Sequence, residues 1–496
     1  MIFCRCFLHV FSFVVLAFFV FACDEPIDPD FKVTGHLDFY EQGLQGVEIT
    51  LHSTTNGTVT TTTDENGNFT FNGVWDGTYT ITPSKSNHYF LPPQQIIKIT
   101  DKDPDNISFL VGITWINSSD NTKIRSVSDL SFISNREMIM CGDILMGNDS
   151  DDIEDHDDSD VLAFKVNHLG VKTLETNYDS PIGSKHDISH SVIGHANGFY
   201  IAASYFYENE RRDTWIISSD TNLNIVNQFT YVSHLSSPDS FNKNEIVDLA
   251  FRDNGIVGVG YLDSVIDGKH ILLLSLGFNL AFDYENYYEE TQWDTATSIS
   301  KRNINDFVVS GSCDFSLDPN AGEDSGDFFS MGIRSNYSQS WYKTYNHGVL
   351  DVTKKIITTT DGSFILIGSS ETEGVKNIVV IKLDSSGTLL WEKVFNRSSY
   401  DEPVDVIQTD DGGFALCAVT YSGLPGFDYW FIKLKSDGEM DWDHIFDNNS
   451  RSDEPVAIVQ NYDKGYTITG NSFYTENDNI IWTIKTNDKG ICYQMQ

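Results

Sequence analysis

A chain of 496 residues exceeds what one ordinary core fills, so it holds either several domains or one repeat array. Its 33 Phe, 22 Tyr, 9 Trp and 36 Gly, with no long Ala/Leu/Glu/Lys-rich segment, exclude a helical protein and favour pleated strands. A formal charge of -40, from 72 acidic against 32 basic residues spread along the chain, excludes nucleic acid as a partner and suits a solvated extracellular surface.

Residues 1–22 read as a secretion signal: Arg5 and the amino terminus supply positive charge, and Phe7 to Ala22 is an apolar run too short for a typical spanning helix. The sequence Val20-Phe21-Ala22-Cys23 resembles a bacterial lipoprotein box. That resemblance implies cleavage before Cys23, acylation of its thiol, and anchorage in the outer membrane with the protein exposed at the cell surface. Ordinary cleavage after Ala22 and an uncleaved anchor are the alternatives. Residues 23–31, with Asp24-Glu25-Pro26-Ile27-Asp28-Pro29-Asp30, form an acidic, proline-stiffened tether.

Residues 32–111 alternate apolar and polar positions in short runs parted by Gly, Asn and Asp, which predicts a small β-sandwich. Val33, Leu37 and Phe39 open it, and Gly46-Val47-Glu48-Ile49-Thr50-Leu51 is a period-two strand. The segment Thr63-Asp64-Glu65-Asn66-Gly67-Asn68-Phe69-Thr70-Phe71, followed by Gly77-Thr78-Tyr79-Thr80-Ile81, resembles the carboxypeptidase-regulatory-like (prealbumin-like, collagen-adhesin B-type) family. The resemblance implies a stalk or spacer without catalytic residues.

Residues 112–496 repeat. An aromatic or apolar residue stands four positions before Gly or Ala at Met138/Gly142, Phe199/Ala203, Ile256/Gly260, Phe307/Gly311, Phe364/Gly368, Phe414/Ala418 and Tyr466/Gly470. A Lys stands five before a Gly at Lys165/Gly170, Lys382/Gly387, Lys433/Gly438 and Lys485/Gly490. Leu174/Tyr178, Trp341/Tyr345, Trp391/Phe395 and Trp442/Phe446 mark a further strand. Each unit therefore reads as four strands, a to d, and the array as a seven-bladed β-propeller, an open β-solenoid being the alternative. The last unit ends with only Ile491 to Gln496 as its outer strand; Val111 to Asn117, with Trp115, is the candidate to replace or extend it. Ser386-Gly387-Thr388-Leu389-Leu390-Trp391-Glu392-Lys393 resembles quinoprotein-like propellers, including scaffold lipoproteins of outer-membrane assembly, but no quinone-docking set accompanies it. The expected fold is all-β: a small sandwich followed by a seven-bladed propeller.

Cys141 and Cys417 share one repeat position and read as core thiols, and no zinc spacing of Cys and His occurs. Insertions fall on the face carrying the b-to-c loops and d-to-a connections. Asp401, Glu402, Asp453 and Glu454 lie at such connections and are the candidate ligand-binding residues. The acidic run from residue 148 to 160 supplies Asp151, Asp155, Asp157 and Asp160 as candidate calcium ligands, since crowded carboxylates suit a hard cation. It lacks the spaced Gly and closing Glu of an EF-hand. No other cofactor is indicated. His186, His190 and His195 are spaced for zinc only if they share a face, which a strand followed by a turn does not ensure. The expected function is non-enzymatic: a surface lipoprotein whose propeller binds a protein or glycan. A polysaccharide hydrolase or lyase of propeller fold and an envelope-assembly scaffold are the alternatives.

Overall fold

The computed structural model describes residues 31–495 except 41, 101, 119–123, 135, 146–158, 182–185, 207–211, 232–240, 265–267, 290–293, 304–305, 314–325, 424–425, 450 and 475–478. It divides into two compact units, residues 1–112 and 113–496.

The first unit contains β1 (Phe31–Phe39), β2 (Gln42–Gly43), β3 (Glu48–Ser53), β4 (Gly57–Thr62), β5 (Asn68–Val74), β6 (Gly77–Ser84), β7 (His88–Leu91), β8 (Gln95–Ile99) and β9 (Ile107–Ile113). One sheet runs β2-β1-β9-β7 with β5 on β1, and the other β4-β3-β6-β8. Alternation drives the packing: Ile49, Leu51 and Ser53 of β3 are buried while Glu48 and His52 are exposed. The inner faces meet through Val33, Leu37, Ile49, Phe69, Phe71 and Ile81. Within this sandwich β1 and β9 pair in parallel, an arrangement that hairpins alone do not produce.

The second unit is a ring of four-stranded units. Among the described residues, five four-stranded sheets and one eight-stranded sheet compose it, the latter being two blades joined by the Arg212↔Lys243 bridge. The a strands are Ile124–Ser134, Asp187–His195, Phe241–Arg252, Asp294–Lys301, Leu350–Thr358, Asp401–Gln408 and Ser452–Gln460. Each meets the next, and the first meets the last, so the ring is closed. Ring closure is hydrogen-bonded: Val127 N donates to Asn471 Oδ1 at 2.9 Å, and Asn471 Nδ2 returns a bond to Val127 O. Every a strand carries a β-bulge at the same register, at 127/129, 189/191, 246/248, 296/298, 353/355, 403/405 and 455/457.

Successive blades are tied by one contact. In the turn that follows strand c, one residue has positive φ in all seven blades: Gly170, Leu223, Leu280, Tyr337, Gly387, Gly438 and Gly490. Against Gly387, Gly438 and Gly490 lie the d-strand Trp341, Trp391 and Trp442 of the preceding blade, at distances that leave no room for a Cβ. Only Gly combines that backbone conformation with so close a ring. Blades 2 to 4 use Leu223, Leu280 and Tyr337 instead, and Tyr178 and Tyr288 of the preceding blades donate their hydroxyls to the carbonyls of Leu223 and Tyr337.

The last blade completes itself with the beginning of the unit. Residues 491–496 supply no outer strand; Tyr493–Met495 is a 3-10 turn. Instead β10 (Trp115–Ser118) pairs antiparallel with Asn479–Lys485, and Trp115 lies against Gly170 of blade 1 as each d-strand Trp lies against its own neighbour. Val111 to Ile113 of the expected clasp belong to β9, so the clasp is shorter than the sequence reading placed it.

The repeated Lys and the polar turn also meet. Lys165, Lys382, Lys433 and Lys485 of the c strands pair with Glu137, Asp361, Asp411 and Asp463. The Lys485–Asp463 pair is fully buried, and Lys485 Nζ also donates to the Ile113 carbonyl at 2.9 Å, fixing the clasp. Trp115→Ala removes a nearly buried indole from the closure and is expected to cost about 3–5 kcal/mol. Denaturant unfolding with tryptophan emission measures it; a loss under about 1 kcal/mol would show that β10 does not carry the closure.

Candidate functional site

The end of the ring nearest the d-to-a connections is the best-organised polar region of the molecule. Here the a strands place Glu245, Glu402 and Glu454 at one register, opposite Tyr261, Val419 and Asn471. Two of these carboxylates are gripped in the same way, by a cation from the preceding blade and by a phenol. Glu245 accepts Arg212 Nη1 at 2.9 Å and the Tyr261 hydroxyl at 2.6 Å. Glu402 pairs with Lys354, accepts Lys376 Nζ at 2.9 Å and accepts the Tyr400 hydroxyl at 2.6 Å. Arg212 and Lys376 occupy equivalent places at the start of strand c; His190 and Lys354 are the bulge residues.

Glu454 has no such partner. The bulge residue of blade 6 is Val404, and its c strand begins at Phe427, so the two cations found elsewhere are replaced by apolar side chains. Among the described residues Glu454 makes no hydrogen bond or ion pair. Burial raises its pKa and the Glu402 charge raises it further. Burial alone would raise Glu402 too, but Lys354, Tyr400 and Lys376 hold it down at about 2. The two neighbouring glutamates are thereby driven apart in acidity.

One layer deeper, past the bulges, the seven a strands present Asp129, Ser191, Asp248, Ser298, Lys355, Asp405 and Ala457. The aspartates staple blade to blade: Asp129 accepts Val192 N, Asp248 accepts Ile299 N, and Asp405 accepts Ile458 N, all at 2.8–2.9 Å. Burial pushes Asp129 up to about 6. Lys355 is raised by the Asp248 charge, against burial, with Asp405 and Asp129 adding to it. This layer is structural, each carboxylate being spent on a backbone amide.

Asp401 and Asp453 are fully buried rather than presented to solvent. They share a repeat position with Asp187 and Asp351, where the carboxylate accepts a backbone N–H from the chain entering the blade. Asp401 accepts Arg397 N, Ser398 N, the Ser398 hydroxyl and the Thr420 hydroxyl. Asp151, Asp155 and Asp157 lie outside the described residues. Asp160 is buried and lies with Asp179 and Asp187 in a group whose ligand atoms fall within 4.8 Å of one another. His186, His190 and His195 do not converge: they contact Phe206, Ser204 and Tyr200 respectively. Cys141 and Cys417 are buried free thiols at one repeat register, opposite Asp129 and Asp405.

Because the folded-state pKa of Glu402 lies below its ordinary value of 4.5, its stabilisation is present above pH 4.5 and is lost as pH falls toward 2. Glu402→Gln is therefore expected to destabilise by about 3 kcal/mol at pH 7, and the difference should shrink toward pH 2. Urea unfolding of both proteins at pH 7 and at pH 3 measures this; a pH-independent difference would remove the ion pairs as its cause.

The family model of the SdrD B-like domain matches residues 28–124. No curated protein sequence matches the chain. Solved structures similar to it include YCF48 bound to D1 peptide, with 12% identity, 75% of this chain and 96% of that chain covered, and a TM-score of 0.42. Puromycin hydrolase aligns at 9% identity over 71% of this chain and 51% of its own, with a TM-score of 0.44. The WD40 domain of SCAP from fission yeast aligns at 7% identity over 76% and 98%, with a TM-score of 0.38. Likeness at this level carries nothing about ligand or activity, and the architecture rests on the strand register described above.

Proposed function

We propose that this protein is a non-enzymatic surface lipoprotein in which the sandwich spaces the propeller from the membrane and the ring mouth binds a protein or glycan. The observation that carries the reading is Glu454, a half-buried carboxylate without a counter-ion among the described residues, at a register where its equivalents hold two cations or a cation and a phenol. Such a group favours a ligand that brings its own ammonium or guanidinium, as a basic protein loop or an amino sugar does. The charge of -40 would steer such a ligand inward and make its capture salt-dependent.

The membrane part of the proposal rests on Cys23. Several acyl chains, at roughly 0.8 kcal/mol per buried methylene, hold a protein on a bilayer persistently. Calcium remains a candidate ion at Asp160 together with the acidic run before it. A second reading, hydrolysis or lysis of a polysaccharide, is favoured by the split between Glu402 and Glu454, since divergent carboxyl acidities suit a base and an acid.

A glycan array and a protein pull-down with the full chain and with Glu454→Gln test the binding reading. The expected result is a ligand class bound by the former and at least about tenfold more weakly by the latter, corresponding to about 1.4 kcal/mol. Glycan turnover abolished by Glu454→Gln would instead establish the enzymatic reading, and equal binding by both proteins would remove Glu454 from the site. For the anchor, Cys23→Ala is expected to abolish acyl-chain labelling and move the protein from the membrane fraction to the soluble one. Unchanged labelling would overturn lipidation at this residue.

A further inference from the structure

Four neighbouring positions supply donors to the mouth glutamates, and around Glu454 every one of them is changed. At the bulge, Val404 stands where His190 and Lys354 do, and at the start of strand c, Phe427 stands where Arg212 and Lys376 do. Two residues before the glutamate, Ser452 replaces Tyr400, and its hydroxyl oxygen accepts Phe427 N at 3.2 Å. On strand b, Asn471 replaces Tyr261, and its amide is spent on ring closure, accepting Val127 N and donating to Val127 O.

What stands beside this carboxylate instead is aromatic. In blade 2, Phe206 ends strand b opposite Arg212, whose guanidinium lies 4.2 Å over that ring while its Nη1 reaches Glu245 at 2.9 Å. Blade 6 keeps the ring and the carboxylate but not the cation. Tyr421 ends strand b opposite Phe427, their ring centroids 5.8 Å apart, and Tyr400 lies 5.1 Å from the same Phe427 ring. Other rings at this end of the molecule are covered by the protein's own cations: Lys376 lies 4.4 Å over Tyr400, and Arg451 lies 4.3 Å over Tyr474. Tyr421 has no such cover among the described residues, and at 42% exposure its ring is open to a ligand.

The two occupied glutamates show which cation this arrangement suits. Around Glu402 the cation is Lys376, the residue opposite it on strand b is Glu371, and the ring comes from the connection at Tyr400. Around Glu245 the cation is Arg212, and the ring ends strand b directly opposite it. Tyr421 repeats the second pattern, the one built on arginine. The physical reason is that a planar guanidinium stacks flat on a ring while its edge donates N–H groups to a carboxylate. An ammonium is a compact, strongly hydrated charge, and an amino sugar carries one without a cationic plane to lay on Tyr421. Val404 and Phe427, apolar where the protein's own cations stand elsewhere, suit the methylene stem of an incoming side chain.

We infer that Glu454, Tyr421 and Phe427 form a receptor for an arginine side chain presented by a protein partner, an inference that rests on the ring mouth being the binding face. The partner's guanidinium takes the role toward Glu454 and Tyr421 that Arg212 has toward Glu245 and Phe206. Burial and the Glu402 charge make the ionised form of Glu454 costly in the free protein, and an arriving guanidinium relieves that cost. The net charge of -40 draws a basic segment toward the molecule, while the ring and the carboxylate select among basic side chains.

Calorimetric titration of the full chain with tri-arginine amide, tri-lysine amide and a glucosamine tetramer tests this, at about 0.15 M salt so that long-range attraction is screened. Phe427→Arg installs the residue type that blade 2 carries, so it is expected to fold, to supply Glu454 from within and to block the site. Glu454→Gln removes the charge, and Tyr421→Ala removes an exposed ring. Tri-arginine is expected to bind at least about fivefold more tightly than tri-lysine. Its affinity should fall about tenfold or more in Glu454→Gln and Phe427→Arg and about threefold in Tyr421→Ala. No tri-arginine binding by the parent, equal binding by the parent and all three variants, or tri-lysine bound as tightly as tri-arginine would overturn the inference. Tri-lysine or glucosamine binding that is lost in Glu454→Gln, without a preference for arginine, would also overturn it but leave the ring-mouth reading standing. Binding of all three probes that does not depend on Glu454 would remove both.

Discussion

Everything in the propeller depends on how an aromatic d strand meets a left-handed turn in the following blade. A four-stranded sheet of this size buries too little of its own surface to stand alone, so a blade is stable only between neighbours. The Trp-on-Gly contact fixes how far apart those neighbours sit, and its recurrence at Trp115 and Gly170 shows that closure uses the same geometry as propagation. The bulged a strands then have their register set for them. Seven bulges at one level re-aim the side chains that follow, and aspartates at that level bond amides of the next blade.

With the scaffold set in this way, function is a matter of where the repeat breaks its own rules. A glutamate at the mouth is satisfied in blades 3 and 6 by cations from the preceding blade, and in blade 7 it is not. That departure does not help stability, because it leaves a carboxylate poorly matched in a partly dry place.

The all-β class, the blade landmarks and the closing role of Trp115 were legible in the sequence because each rests on local chemistry: alternation, turn residues and a fixed spacing. The Lys/Gly landmark was visible in only four units because Leu223, Leu280 and Tyr337 adopt the left-handed turn conformation that composition assigns to Gly. The site was less legible. Asp401 and Glu402 are adjacent in sequence, yet one caps a turn inside the protein and the other faces the mouth, a difference set by strand register rather than by residue type. Glu245, Arg212, Lys354 and Lys376 were missed. Laying the seven a strands on the Gly/Ala landmark and reading down each column would have aligned Glu245 with Glu402 and exposed the missing cation beside Glu454.

The clasp also orders events in time. Trp115 and its strand are synthesised early, whereas their partner Asn479–Lys485 lies close to the other end of the sequence. Until that segment arrives, β10 has no sheet to join, and the first blade faces solvent along the side that the seventh will cover. Contacts so distant along the chain are slow to form, because a long loop must be closed before they repay its entropy. A prematurely stopped chain thus retains an unpaired strand at one end and an uncovered blade at the other, surfaces that chaperones and proteases read as unfinished.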